Sequence, residues 1–276
     1  MKKQCSERQK FMKRIVAFFA VALFFSSPRT FASSVFSDSF TDPNGALLGQ
    51  SAQFGSGVWS LTSSTVNPIQ VNNGLVVLVN SGQDAYDALS SPVSTTAGGS
   101  IFVSLDLNVT AAQATGDYFL HFCSTVGGTS GFYDKVWVKS SGSGFVLGSQ
   151  DNNGTVTYGS TVLTLGTTYR LVTEEDFVPG ALNDTFEFYV NPTDLSVAAN
   201  NSAYLSATWS GAGAEASSYA EINLRQGTAA AAPSETIDNL FVGSAFSDVS
   251  AIPEPSTVAL AAMGGAACLV AFRRRR

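Results

Sequence analysis

The sequence predicts an all-β protein, an antiparallel β-sandwich of jelly-roll type set between two hydrophobic ends. Three observations predict it. Short segments alternate apolar and polar residues with a period of two, turn-forming clusters separate them, and no interior stretch shows the periodicity of an amphipathic helix. Closure as an up-and-down barrel is the competing architecture.

The N-terminal end is read first. Lys2, Lys3, Arg8, Lys10, Lys13 and Arg14 precede the apolar run 15–25, and small residues follow up to Ala32. A basic start, an apolar stretch and a small residue before a cut make residues 1–32 a secretory signal peptide. A buried helix would need a polar face, which 15–25 lacks.

Residues 33–250 form the body, long enough for a single sizeable core. The clearest strand is 101–109, where Ile101, Val103, Leu105, Leu107 and Val109 share one face and Asp106 and Asn108 the other. Segments 74–80, 118–123, 132–139, 144–147, 168–173, 185–190, 219–225 and 236–242 read likewise. Between them stand Asn72-Asn73-Gly74, Gly127-Gly128, Ser141-Gly142-Ser143-Gly144, Asp151-Asn152-Asn153-Gly154 and Pro179-Gly180. Asn153-Gly154 tolerates the positive φ of a tight turn, so 150–155 reads as a hairpin. Many short strands of this kind pack as two antiparallel sheets.

The starting segment Val35-Phe36-Ser37-Asp38-Ser39-Phe40 and the finishing segment Ile237-Asp238-Asn239-Leu240-Phe241-Val242-Gly243 are similar to the first and last strands of concanavalin A-like, laminin-G-like sandwiches. That resemblance implies that the terminal strands lie side by side. It also implies a structural calcium near one rim, for which Asp38, Asp42 and Asp238 are the candidates. Three solvated strand-end aspartates are the competing reading.

The C-terminal end carries the most specific signal. Ile252-Pro253-Glu254-Pro255-Ser256-Thr257 leads into the apolar run 258–272, which ends on Arg273, Arg274, Arg275 and Arg276. The prolines isolate the segment from any upstream helix, and the arginines resist passage through lipid and fix its orientation. These three parts, in this order, resemble the PEP-CTERM sorting signal of Gram-negative bacteria. The resemblance implies processing near Pro253, Glu254 and Pro255 by an exosortase, after transient residence in the inner membrane. Delivery to the cell surface or matrix of a polysaccharide-producing cell would follow. The apolar run is shorter than the roughly 17–25 residues of a permanent span, and Gly264-Gly265 weakens it further, as suits a transient anchor.

Charge narrows the partners. Residues 33–257 hold Lys135, Lys139, Arg170 and Arg225 against twenty Asp and Glu, a net charge of about −16. Nucleic acid would find little countercharge there. Self-repulsion keeps such a body soluble, and some of its carboxylates could collect divalent cations. Cys5 and Cys268 fall in the two ends, so Cys123 has no partner for an internal disulfide and reads as a buried thiol.

Signals for catalysis are thin. His121 is the one histidine, alternates with Phe119 and Cys123, and reads as a core residue. There is no Gly-x-Ser-x-Gly elbow and no zinc ligand set. Glu174 and Asp176 share a strand face, as a glycosidase pair would, but the run before Val178-Pro179-Gly180 reads as an exposed strand end. The expectation is a non-enzymatic surface or matrix protein associated with extracellular polysaccharide or biofilm. A dedicated carbohydrate-binding module, or a hydrolase or lyase, is the alternative. Tyr133, Trp137 and Lys139 alternate on one face of 132–139, opposite Val136 and Val138, and make the candidate sugar patch. In the competing reading Trp137 fills a strand buried on both sides.

Overall fold

The computed structural model describes residues 34–209 and 215–250. The signal segment and the sorting tail, with Pro253, Glu254, Pro255, Arg273, Arg274, Arg275 and Arg276, lie outside the described residues. Among the described residues no helix is long and apolar enough to cross a membrane.

The first strands are β1 (Ser34–Asp38), β2 (Gly45–Ala46), β3 (Ser60–Ser63), β4 (Gln70–Asn72) and β5 (Leu75–Leu78). Longer ones follow: β6 (Asp84–Ser94), β7 (Gly99–Ala111), β8 (Asp117–Cys123), β9 (Phe132–Ser141) and β10 (Gly144–Gln150). Then come β11 (Thr157–Tyr158), β12 (Thr168–Phe177), β13 (Thr185–Val190) and β14 (Leu205–Thr208). The last elements are β15 (Ser218–Arg225), β16 (Ser234–Gly243) and a one-turn helix α1 (Phe246–Ser250).

Nine strands form one antiparallel sheet in the order β14-β13-β12-β7-β16-β5-β4-β2, with β1 also paired to β16. Seven form the other, in the order β11-β10-β9-β8-β15-β6-β3. Inward residues of both sheets meet in one apolar cluster, for example Leu105 and Ile237 from the first and Val136 and Ile222 from the second. This is the predicted jelly-roll sandwich. Each sheet keeps free ends instead of closing, so the barrel does not form.

β7 shows why the sequence folds this way. Ile101, Val103, Leu105, Leu107 and Val109 all point into the core and are at most 1 % exposed, while Asp106 and Asn108 stay half-buried on the far face. The far face is covered nearer the start of the strand. There Phe102 meets Phe246 of α1 edge-to-face at 6.0 Å, and Arg170 Nη2 donates to the Val249 carbonyl at 3.0 Å. β1 and β16 pair antiparallel with Phe36 opposite Val242, so the terminal strands do lie side by side. The predicted hairpin turn is present: Gly154 N donates to Asp151 O at 2.9 Å, and β11 returns along β10.

One expectation needs correction. The acidic run Glu174-Glu175-Asp176 lies near the end of its strand but is not exposed. β12 continues through it to Phe177 because these residues pair with Phe102, Ile101 and Ser100, and Glu175 turns inward. The structure also adds a strand, β6, that has no alternating pattern to announce it. Its Asp84-Ala85-Tyr86-Asp87-Ala88 core is poor in β-branched residues, and pairing with β15 on one side and β3 on the other holds it extended.

Candidate functional site

The outer face of the seven-stranded sheet gathers most of the positive charge of the body together with its partly exposed rings. Residues directly opposite in an antiparallel sheet share a face. Tyr118 of β8 stands opposite Trp137 of β9, Trp137 opposite Gly148 of β10, and Gly148 opposite Tyr158 of β11. Their inward neighbours Leu120, Val136 and Leu147 belong to the core, so this row faces out. Gly148 is needed here, because a Cβ would stand 2.6 Å from the Tyr158 ring. The absent side chain lets Tyr158 lie over the strand beside Trp137. Tyr118 and Trp137 are 5.5 Å apart between ring centroids, and both are half-buried.

Cations are placed against these rings. Arg225 lies 4.2 Å and Lys135 Nζ 5.2 Å from the Tyr118 centroid, and Lys139 Nζ lies 5.0 Å from that of Tyr158. Arg225 also pairs with Asp117 at 2.7 Å. Lys135 donates to Gln150 Oε1 at 3.4 Å and to the Asn152 carbonyl.

Beside the row opens a cleft of about 240 Å³ lined by Thr62, Ser63, Asp84, His121, Thr129, Phe132 and Arg225. His121 packs on Phe132 at 4.5 Å and on Tyr118 at 5.4 Å between ring centroids. Asp84 is held in place by Ser63 Oγ at 2.6 Å and by the Gln226 N–H at 2.9 Å. Hydroxyls, one carboxylate, one guanidinium and two flat rings therefore converge on the same opening. Such a set bonds hydroxyl-rich ligands edge-on and stacks on their apolar faces.

Burial sets the protonation of this face. It pulls His121 down to about 3, so the imidazole is neutral, and it lowers Lys135 to about 8. It pushes the Tyr118 hydroxyl up to about 12 and raises the Asp84 carboxyl above its ordinary value. Burial also raises the Cys123 thiol, which is enclosed beside His121 and Asn223 and is inert.

The candidate sugar patch is only partly assembled. Trp137 and Lys139 share the outer face, but Tyr133 does not. Asp134 has φ of +42° and the β8–β9 register slips between Leu120 and Phe122, so a bulge reverses the alternation. Tyr133 joins Val136 and Val138 in the core and lies 5.9 Å from the Tyr219 ring. His121 is buried as expected, yet on the outer face and not in the core between the sheets. Tyr118, Phe132, Tyr158, Arg225 and Asp84 complete the site. The sequence holds no local sign of them, because five different strands bring them together.

The calcium candidates do not meet. Asp38 is wholly buried, accepting from Phe40 N at 2.8 Å and from Trp59 Nε1 at 2.7 Å. Asp42 is close enough to act on it electrostatically and has an oxygen without a partner. Asp238 pairs with Asp106 on the far face of β16, whereas Asp38 stands opposite inward Leu240. With its first carboxylate engaged and its third behind the sheet, this trio does not fit one ion.

No curated protein matches this sequence. Solved structures similar to the chain include the carbohydrate binding module CBM66 from Bacillus subtilis, at 15 % identity and TM-score 0.38, covering 67 % of this chain and 95 % of that one. The CBM2 module of the Lactobacillus casei BL23 phage J-1 evolved Dit is similar at 12 % identity and TM-score 0.41, covering 77 % and 96 %. A heptameric SAP-like pentraxin from Limulus polyphemus is similar at 13 % identity and TM-score 0.39, covering 60 % and 73 %. At these TM-scores nothing about ligand or activity passes to this chain. The tail is different, since residues 251–276 match the PEP-CTERM protein-sorting motif. The chain is thus a β-sandwich body carrying a PEP-CTERM sorting motif, the mark of an exported protein sorted by exosortase at the membrane to the cell surface.

Proposed function

We propose that this protein binds extracellular polysaccharide without transforming it, as part of the surface or biofilm matrix of a Gram-negative cell, and that the outer face of the seven-stranded sheet makes the contact. The observation that carries this reading is the row Tyr118, Trp137 and Tyr158 running beside a polar cleft. Aromatic faces stack on sugar rings, and Thr62, Ser63 and Asp84 offer partners for hydroxyls. At about 240 Å³ the cleft is smaller than the roughly 300–1,000 Å³ of pockets that enclose drug-sized ligands, so it suits a single ring of a chain that continues along the surface.

Two features favour binding over hydrolysis. Asp84 is the single carboxylate among the lining residues of the cleft, whereas glycoside hydrolysis uses two across the scissile bond. His121, held neutral by burial, has neither a serine nor a carboxylate among its hydrogen-bond partners. The cations are engaged by Asp117, Gln150 and the aromatic rings, so recognition falls to stacking and hydroxyl contacts, as suits a neutral polymer.

Retention of the full-length chain on the exopolysaccharide of its own host tests this. Trp137→Ala and Tyr118→Ala should each weaken retention at least tenfold while leaving the folded sandwich in place. Tyr133→Ala should leave retention of the folded fraction unchanged, because Tyr133 faces the core. Equal retention of the wild type and both outer-face variants would refute the proposal.

A further inference from the structure

The space between the sheets holds a second polar cluster, separate from the cleft. Asp134 enters it from the β9 bulge, Asp151 from the turn after β10, Glu175 from β12 and the Tyr219 hydroxyl from β15. All four are nearly or wholly buried. Asp134 N points to Asp151 Oδ1 at 3.5 Å, and both carboxylates act electrostatically on Glu175. Glu175 has a donor, since Tyr219 bonds its two oxygens at 3.0 and 2.8 Å. Asp134 has none: it is 1 % exposed, and neither carboxylate oxygen has a hydrogen-bond partner.

Two more unpartnered oxygens lie on inward positions of the neighbouring strands. Ser149 Oγ and Thr173 Oγ1 are buried and have no partner either. Both face inward, Ser149 opposite Val136 and Thr173 opposite Val103, each two positions from an acid of the cluster on the same strand or turn. A small pocket of about 20 Å³ reaches Ser149 and Asp151 past Thr157, Phe186 and Trp209. It exceeds the roughly 10–15 Å³ that one water-sized particle needs. Orphaned buried oxygens of one sign are costly unless something positive sits among them.

We propose that this cluster is a binding site for a single calcium ion, held between the sheets by the Asp134 and Asp151 carboxylates with the Ser149 and Thr173 hydroxyls beside them. Among the described residues no three acidic, imidazole or thiol side chains stand together as a ligand set, so two carboxylates supply the charge and neutral oxygens complete the shell. Calcium accepts six to eight mixed oxygens in flexible geometry. Magnesium keeps several of its own waters, for which a pocket of about 20 Å³ has no room. Asp184 adds negative potential from the loop before β13, whereas burial raises the Glu175 carboxyl well above its ordinary value, so Glu175 holds its proton and adds no charge. Lys135 is the nearby cation, but its ammonium lies against Tyr118 on the outer face.

The full-length chain is melted in chelator and then with calcium or magnesium added, near neutral pH. Calcium should raise the midpoint by several degrees, magnesium should do so far less, and equilibrium dialysis should find an ion that this response tracks. Asp134→Asn and Asp151→Asn should each abolish the calcium response. In chelator Asp134→Asn should be at least as stable as the wild type, because it removes a buried charge. Ser149→Ala, which leaves both carboxylates in place, should reduce calcium affinity and so serves if either amide variant fails to fold. An unchanged wild-type midpoint, an equal response to magnesium, or a calcium response that survives these substitutions would overturn the assignment.

Discussion

Trp59 donates its indole N–H to the Asp38 carboxylate at 2.7 Å, inside the core and with neither side chain reaching solvent. Asp38 closes β1 of the nine-stranded sheet, and Trp59 immediately precedes β3 of the seven-stranded one. One charge-assisted bond therefore ties the two layers at the beginning of the body. Phe36 and Phe40 pack on the same indole at 5.9 and 6.2 Å between centroids.

Trp59→Phe keeps a ring in place but removes the donor, leaving one oxygen of a buried carboxylate unsatisfied. Urea unfolding near neutral pH should show a loss of about 1–3 kcal/mol beyond the smaller ring's packing deficit. Burial holds Asp38 at about 6, so the bond-specific loss should shrink when the carboxyl is protonated. An equal loss at acid and neutral pH would assign the effect to packing alone.

Leu105 is fully buried at the middle of β7, opposite Leu171. Leu105→Ala should destabilise the body by about 2–5 kcal/mol, as expected for a core site that relaxes only in part. A loss well under 1 kcal/mol would mean that the neighbouring strands collapse into the space.

Stability should fall as pH rises, in the absence of divalent cations. Burial raises Asp134 and Asp151 from 3.8 to about 7, and Asp87 and Asp38 to about 6. The folded state thus holds these protons more tightly than the unfolded chain does. Their contribution is complete below about pH 4 and is lost as pH rises through about 7. Calorimetry in chelator should show a midpoint that drops between pH 5 and 8, and Asp134→Asn should flatten the slope. A midpoint that rises across this window would contradict the protonated cluster.

The sorting tail should be cut close to Pro253-Glu254-Pro255, so that mass spectrometry of surface-exposed protein finds a C-terminus before Val258. Neutral residues in place of Arg273, Arg274, Arg275 and Arg276 should cause loss of retention before processing, since the stop depends on their charge. Intact Arg276 on the mature surface protein would count against cleavage.

Export, sorting and fold class are legible in the residues alone. The sorting motif is contiguous, so its spacing is read directly from Pro253 to Arg276. The sandwich was legible because Ile101 to Val109 keeps period two, and burial follows that period residue by residue. The proposed binding face was legible only at Trp137 and Lys139, and β9 shows the reason. One residue in the left-handed region, Asp134, shifts the alternation, sends Tyr133 inward and leaves Trp137 out. Register then decides which distant residues stand beside Trp137, and Tyr118, Gly148 and Tyr158 come from three other strands. Burial likewise distinguishes the aspartates: Asp38 has its Trp59 donor, Asp238 faces away, and Asp134 is enclosed with its oxygens unpartnered. Those differences arise from long-range pairing and exclusion of water, which a local pattern does not encode.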